Sequence, residues 1–139
     1  MPNISMNTIA VKGKKADVVN WLSIGLPKMK GEDDNKVEIY VALARSQSKL
    51  HRYEEAEKSF MQAVDVFRQD AILSHCHKNV LAMILNELAD AQYELHHYED
   101  AKTNFSEALA LYESCEEKNP SKYARAIETI KQRLSELKQ

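Results

Sequence analysis

The stretch LHRYEEAEKSFMQAV, from Leu50 to Val64, decides the fold because a near copy, LHHYEDAKTNFSEAL, returns at Leu95 to Leu109. The two copies keep one register at a period of 45 residues, and ten of the 25 positions from Leu43 to Phe67 are identical in both. Self-similarity of this length is typical of stacked supersecondary units, none of which can bury its apolar face alone. The chain is therefore predicted to contain two stacked units.

Each unit is predicted to hold two helices, here called helix A and helix B. The repeated positions of the first unit step by three and four residues, which is the spacing of one helical face. In helix A these positions are Tyr40, Leu43, Ala44, Gln47 and Leu50, and in helix B they are Tyr53, Ala56, Phe60, Ala63 and Phe67. Because the alanines let two antiparallel backbones approach closely, the Leu-Ala side of helix A is expected to lie buried against helix B.

The same residues carry a resemblance to the tetratricopeptide repeat family. The family's pattern is an aromatic or aliphatic residue, a Leu with a small residue, a Tyr with an acidic pair and Ala, and then an aromatic residue and a second Ala. The first unit follows this pattern at Tyr40, Leu43, Ala44, Tyr53-Glu54-Glu55-Ala56, Phe60 and Ala63, and the second at Leu85, Leu88, Ala89, Tyr98-Glu99-Asp100-Ala101, Phe105 and Ala108. The sequence departs from the family pattern at Gln47 and Gln92, where the family usually has an aromatic residue.

The period of 45 residues is longer than the roughly 34 of the standard tetratricopeptide unit and falls in the range of HEAT and armadillo repeats. Since the motif residues follow the tetratricopeptide pattern, the excess is interpreted as longer helices and a longer linker. In this respect the chain resembles the long repeats of kinesin light chains and of some polarity adaptors. The resemblance covers about Val37 to Leu137 and implies an all-α fold, an antiparallel helix-pair solenoid with capping helices at both ends.

The domain organisation follows from this interpretation. Residues 1–14 are predicted to be a loosely ordered N-terminus, and residues 15–139 a single tetratricopeptide-like helical domain. Repeat one is expected at about 37–72 and repeat two at about 79–117, with residues 31–36 as a polar connector in front of them.

Two further amphipathic segments are expected to cap the stack. The first lies at residues 15–24 and includes Trp21. The second is a C-terminal helix at about 121–138, which follows Asn119 and Pro120 and carries an apolar stripe. An alternative role for the C-terminal helix is a short seam for weak homodimerisation.

Composition limits the classes of partner. A formal net charge of -2 and a pI near 6.2 supply no basic field for a nucleic acid backbone. Neither a signal peptide nor an apolar run long enough to cross a bilayer is recognised, so a cytoplasmic protein is expected. Two cysteines, Cys76 and Cys115, do not make a disulfide framework and are expected to be buried thiols.

No catalytic residue, metal site or cofactor is predicted, and the chain is not expected to be an enzyme. His75-Cys76-His77 is a weak zinc candidate, because helical neighbours one and two positions apart point in different directions. Three other histidines, His51, His96 and His97, lie where helix A turns into helix B. His enters the left-handed backbone region more readily than most residues, so a role in the turn explains these positions without chemistry.

The predicted function is a protein–protein interaction module, acting as an adaptor or scaffold. The resemblance places a concave groove on the exposed side of the A helices, and it implies the partner-binding residues Val41, Arg45, Lys49, Asn86, Glu87, Asp90 and Tyr93. A peptide or helix of the partner would be anchored by Val41 and Tyr93 and oriented by charge. The alternative is that the groove charges only form mutual surface ion pairs.

The resemblance also bears on which partner is bound. Family members that grip the terminal carboxylate of heat-shock chaperones use Lys and Asn side chains where this chain has Val41, Arg45 and Glu87. Since Glu87 would repel a carboxylate, a chaperone tail is disfavoured as the partner. Two alternatives stay open, namely a regulatory or sensor module that responds to a short signalling peptide and a segment of a larger assembly of such repeats.

Overall fold

The computed structural model describes residues 32–116 and 121–138, and within these ranges it contains six helices and no strand. They are α1 (Glu32–Lys49), α2 (Tyr53–Gln69), α3 (Ala71–Cys76), α4 (Lys78–Glu94), α5 (Tyr98–Glu116) and α6 (Ala124–Leu137). The predicted all-α fold is confirmed. The predicted N-terminal segment and the capping helix at residues 15–24 lie outside the described residues.

The helices form two antiparallel pairs that stack in chain order. Helix α1 packs against α2 and helix α4 against α5, so these pairs are the helices A and B of the two units. Helix α2 also packs against α4, and α6 packs against α5. Each unit therefore closes its apolar side against the next one, as stacked repeats require.

Two local features account for the long period. Helix α1 begins at Glu32, so the prediction of a polar connector over residues 31–36 was wrong beyond Gly31. The segment from Glu32 to Lys49 contains no Gly or Pro that would interrupt a helix. The linker between the units holds the short helix α3, which the sequence did not indicate. The Asp70 side chain caps α3 by accepting a hydrogen bond from the Leu73 backbone N–H at 3.0 Å, and Leu73 is buried.

The core lies between the helices of each pair. Its largest fully buried side chains are Phe60, Phe67, Phe105, Ile84, Leu85, Ile130, Val37, Val41 and Val80. The motif alanines of both B helices, Ala56, Ala63, Ala101 and Ala108, are all 0% exposed. These alanines therefore lie on the buried face of each B helix, as the spacing predicted.

The buried face of α1 differs from the prediction. Leu43 is 46% exposed, whereas its counterpart Leu88 in the second unit is 3% exposed. The reason is that α2 covers α4, while no helix of the described residues precedes α1 in the stack. Val37, Val41 and Ala44 are the apolar side chains of α1 with 0% exposure. The Leu-Ala stripe was therefore correct for the second unit and at Ala44, and wrong at Leu43.

Both turns from helix A to helix B have the same backbone structure. His51 and His96 adopt positive φ angles of 60° and 64°, which confirms the predicted left-handed conformation at these two positions. His97, for which the same conformation was expected, does not have a positive φ. The Arg52 N–H then donates to the Gln47 carbonyl at 2.8 Å, and the His97 N–H to the Gln92 carbonyl at 2.8 Å. This bond from the second residue after the C-cap residue is the signature of a Schellman motif, which satisfies carbonyls at a helix end.

The two glutamines at the usually aromatic position have a structural role. Gln47 Oε1 accepts a hydrogen bond from Ser59 Oγ at 2.8 Å, and Gln92 Oε1 accepts one from Asn104 Nδ2 at 2.7 Å. Ser59 and Asn104 are equivalent positions, so the same side-chain bond joins helix A to helix B in both units. A polar bridge replaces the aromatic contact of the family pattern.

The C-terminal helix packs its apolar stripe against α5. Ile130 is 0% exposed, and Ile127, Leu134 and Leu137 are partly buried against the core. Just before the helix, the Tyr123 ring lies 5.3 Å from the Tyr112 ring, measured between centroids. The stripe thus faces the stack, which is the packing expected of a cap.

Candidate functional site

A groove runs between helix α1 and helix α4 and is bordered by α6; it is called the α1–α4 groove below. Its volume is about 460 Å³. The lining residues are Arg45, Ser48, Lys49, Tyr53, Phe60, Glu87, Asp90, Ala91, Glu94 and Arg133. Four of the seven predicted binding residues lie in this lining, namely Arg45, Lys49, Glu87 and Asp90.

Arg45 and Glu87 form the central contact of the groove. Arg45 Nε donates to Glu87 Oε1 at 2.8 Å and Arg45 Nη2 to Glu87 Oε2 at 2.7 Å. Arg45 Nη2 also lies 3.4 Å from the Met83 sulfur. The two side chains retain only 18% and 27% of their exposure, so this bidentate pair is stronger than an ordinary surface ion pair. Arg45 and Glu87 therefore form a mutual ion pair, which was the alternative to their binding a partner.

Arg133 of the C-terminal helix completes one wall of the groove. Its Nη2 lies 3.8 Å from Asp90 Oδ1, and its guanidinium carbon lies 4.9 Å from the centre of the Tyr93 ring. A cation over an aromatic face is attracted by the ring quadrupole. Arg133 was missed by sequence reasoning because it belongs to a different helix, and only the packing of α6 brings it to Asp90 and Tyr93.

The Asp90 carboxyl has an altered proton affinity. Burial raises its pKa from 3.8 to about 6; the Arg133 guanidinium opposes this shift, and the neighbouring carboxylates of Glu87 and Glu94 add to it. Because desolvation is the largest cause of this shift, the ionised Asp90 carboxylate is poorly solvated, and Arg133 compensates its charge only in part. A positively charged group placed there would be stabilised.

The other three predicted binding residues are placed differently. Val41 is 0% exposed, so its predicted role as a surface anchor was wrong, because the buried face of α1 includes this position. Asn86 is partly buried and is not part of the groove lining. Tyr93 lies under Arg133 and packs edge-on against Tyr98, with ring centres 5.6 Å apart, so it supports the wall rather than forming an open anchor.

The two cysteines are more accessible than expected. Cys76 is exposed and Cys115 is partly exposed. Cys76 ends the short helix α3, whose buried contact is made by Leu73 instead. The expectation of buried thiols was therefore wrong for Cys76.

Comparison with known proteins identifies one segment of the chain. Residues 37–70 match the sequence profile of the tetratricopeptide repeat, a segment that runs from Val37 on α1 to the residue after α2. The chain carries a tetratricopeptide repeat. Searches of curated proteins and of solved structures each found no match. Tetratricopeptide repeats serve protein–protein interaction in general and are typically non-enzymatic.

The second helix pair is a structural copy of this tetratricopeptide repeat. Helices α4 and α5 reproduce the left-handed turn residue, the turn hydrogen bonds and the glutamine bridge of α1 and α2. No helix in the described ranges is both long enough and apolar enough to cross a bilayer.

Proposed function

We propose that this tetratricopeptide-repeat chain is an adaptor or scaffold module that binds a segment of a partner protein in the α1–α4 groove. The observation that supports this most directly is the groove itself. It is formed by the A helices of both repeats together with α2 and α6, and it has charged walls around a volume of about 460 Å³. A groove built from several helices can hold a helix or an extended segment across its length.

The charge on helix α4 supports a basic segment as the partner. Glu87, Asp90 and Glu94 are spaced by three and four residues and lie along one face of α4, where all three line the groove. Glu87 is paired with Arg45, whereas Asp90 is partly desolvated and its contact with Arg133 is long, at 3.8 Å. A Lys or Arg side chain of the partner would therefore be placed between Asp90 and Glu94.

A site-specific cross-linking experiment tests the groove directly. The photoreactive residue p-benzoylphenylalanine is introduced either at Ser48, which lines the groove, or at Gln62, which is exposed on α2 outside it. After irradiation in native extract, adducts are identified by mass spectrometry. We expect a protein cross-linked from Ser48 and not from Gln62, and the adduct mass separates a folded partner from a short signalling peptide.

A charge reversal then tests the chemistry of binding. Glu94→Lys is expected to abolish the adduct formed at Ser48, while Asp65→Lys, an equal change on exposed α2, should leave it unchanged. An adduct that forms at Gln62 and not at Ser48, or one that Glu94→Lys does not weaken, would show that the groove is not the binding surface.

A further inference from the structure

Three side chains with metal-binding atoms converge at the junction of the two repeats, in a groove that shares no lining residue with the α1–α4 groove. Glu57 comes from α2, His97 from the turn before α5, and Asp100 from the first turn of α5. One ligand atom from each of them lies within 4.8 Å of the others. We propose that Glu57, His97 and Asp100 bind a divalent transition-metal ion, with zinc as the best-suited ion.

The position of Glu57 is fixed by buried polar contacts rather than left free. Gln92 is 3% exposed, and its Nε2 donates to Glu57 Oε2 at 3.1 Å. The Gln92 Oε1 is in turn held by Asn104 Nδ2 at 2.7 Å. A chain of hydrogen bonds from α5 through α4 therefore orients the carboxylate of α2, which is the kind of support that metal ligands receive from their surroundings.

The position of His97 is fixed through its backbone and its ring. Its N–H donates to the Gln92 carbonyl at 2.8 Å, and its own carbonyl accepts from the Ala101 N–H at 2.9 Å. Its ring Nδ1 lies 3.1 Å from Glu57 Oε2. Asp100 lies three residues further on, so it occupies the same side of the helix start as His97. The three ligands are thus brought together before any ion binds.

The donor set selects the kind of ion. An imidazole nitrogen with carboxylate oxygens suits zinc and the neighbouring transition metals, whereas magnesium and calcium prefer oxygen ligands alone. Two carboxylates balance the charge of a divalent ion. The site opens into a second groove of about 450 Å³ between α2 and α5, which leaves room for water to complete the coordination.

The site is specific to this junction and is not a general feature of the repeat. The positions equivalent to His97 and Asp100 in the first repeat are Arg52 and Glu55, and the position equivalent to Glu57 in the second is Lys102. Arg52 cannot bind a cation, and Arg52 and Glu55 instead form a long ion pair of 3.8 Å. A bound ion would join α2 to α5 across the repeat boundary and so stabilise the stack.

The test is calorimetric titration with zinc chloride, with magnesium chloride as the comparison ion. All proteins carry Cys76→Ser and Cys115→Ser, because accessible thiols would bind zinc themselves. The site variants are His97→Asn and Asp100→Asn, both at exposed positions where folding is expected to be retained. The matched control is His96→Asn, the same substitution at the adjacent exposed histidine, and circular dichroism checks each fold.

We expect one equivalent of zinc to bind, no binding of magnesium, and a rise in Tm with zinc. His97→Asn and Asp100→Asn should each weaken zinc binding by at least about tenfold and remove the rise in Tm, while His96→Asn should change neither. The proposal is overturned if zinc does not bind, or if it binds equally to His97→Asn and Asp100→Asn. In that case the contact between Glu57 and His97 is an ion pair only.

Discussion

The Arg45 guanidinium holds the Glu87 carboxylate through two hydrogen bonds of 2.8 and 2.7 Å, and so connects the A helices of two successive repeats. Backbone packing between the repeats is made mainly by α2 against α4. The bidentate contact therefore adds a second attachment on the side of the groove, where it fixes the distance between its two walls.

The Arg45 and Glu87 side chains should be energetically coupled. In a double-mutant cycle of Arg45→Ala and Glu87→Ala, measured by urea unfolding, we expect a coupling free energy of about 1–2 kcal/mol, since charge-assisted bidentate bonds at partly buried sites exceed the usual surface value. The cycle removes the effects of other contacts that each side chain makes.

The pair Arg68 and Glu107 is a matched control for this cycle. It also joins two repeats, with Nη2–Oε distances of 2.7 and 2.6 Å, but its side chains are 47% and 41% exposed. Its coupling should be smaller, at about 0.2–1 kcal/mol, because solvent screens exposed charges. Equal coupling in both pairs would mean that burial does not strengthen the Arg45 contact.

The buried glutamine of the second repeat should matter more than that of the first. Gln92 bridges Asn104 and Glu57, whereas Gln47 bonds to Ser59 and is only partly buried. Gln92→Leu removes the hydrogen bonds to both Asn104 and Glu57, so we expect a loss of about 1–3 kcal/mol in the free energy of unfolding, compared with about 1 kcal/mol for Gln47→Leu, which removes one. Chemical denaturation of both variants measures the difference, and equal losses would contradict it.

The need for a left-handed backbone conformation at His96 can be tested separately from the contact that its side chain makes. His96→Gly and His96→Ala both remove the contact between His96 Nδ1 and the Tyr98 hydroxyl, so they differ mainly in backbone freedom. Because the φ of His96 is 64°, the Gly variant should be more stable than the Ala variant by about 1 kcal/mol. Thermal unfolding compares the two, and an Ala variant as stable as the Gly variant would refute the need for a left-handed residue.

The close approach of α4 and α5 at Ala101 should not tolerate a larger side chain. Ala101 is 0% exposed, and its neighbour Lys102 is exposed. Ala101→Leu is expected to lower the free energy of unfolding by about 1–3 kcal/mol, since overpacking forces the helices apart. Lys102→Leu adds the same side chain on the solvent side and should change stability by less than about 0.5 kcal/mol, which makes it the control in the same denaturation series.

The features that the sequence predicted are those encoded at short range or by repetition. The spacing of Ala56, Phe60 and Ala63 indicates one buried helical face, and the return of the same pattern 45 residues later indicates a second copy of the unit. The left-handed turns at His51 and His96 could also be predicted, because the backbone preference of a residue depends on its close neighbours in the sequence.

The features that the sequence did not predict depend on contacts between distant segments. Arg133 reaches the groove only because α6 packs on α5, and nothing in its own neighbourhood indicates Asp90 or Tyr93 as its contacts. Glu57 and His97 are 40 residues apart, which is beyond any local metal-binding spacing. The exposure of Leu43 was missed because a periodic pattern specifies a face of a helix but not which neighbour covers it.

The ionisation of Asp90 gives a prediction that depends on pH. Its pKa is about 6 in the folded protein against 3.8 for the ordinary group, so the folded state holds the proton more tightly than the unfolded state does. The stability that this provides is fully present below pH 3.8 and is lost as the pH rises through about 6. Asp90→Asn should therefore be more stable than wild type at pH 7 and lose that advantage at pH 4. Because the carboxyl is about half exposed, the gain should be no more than about 1 kcal/mol.

The titration of Asp90 also separates its structural role from its role in binding. Carboxyl-carbon NMR reports the pKa directly, and Arg133→Met should raise it further because the opposing cation is removed. If the partner places a basic side chain beside Asp90, its affinity should fall as the pH drops through about 6, where the carboxylate takes up a proton. The same decrease should be absent in Asp90→Asn, which has no charge to lose. An Asp90 pKa near 3.8 in wild type would contradict both expectations, because the carboxylate would then stay charged over the whole range in which binding is measured.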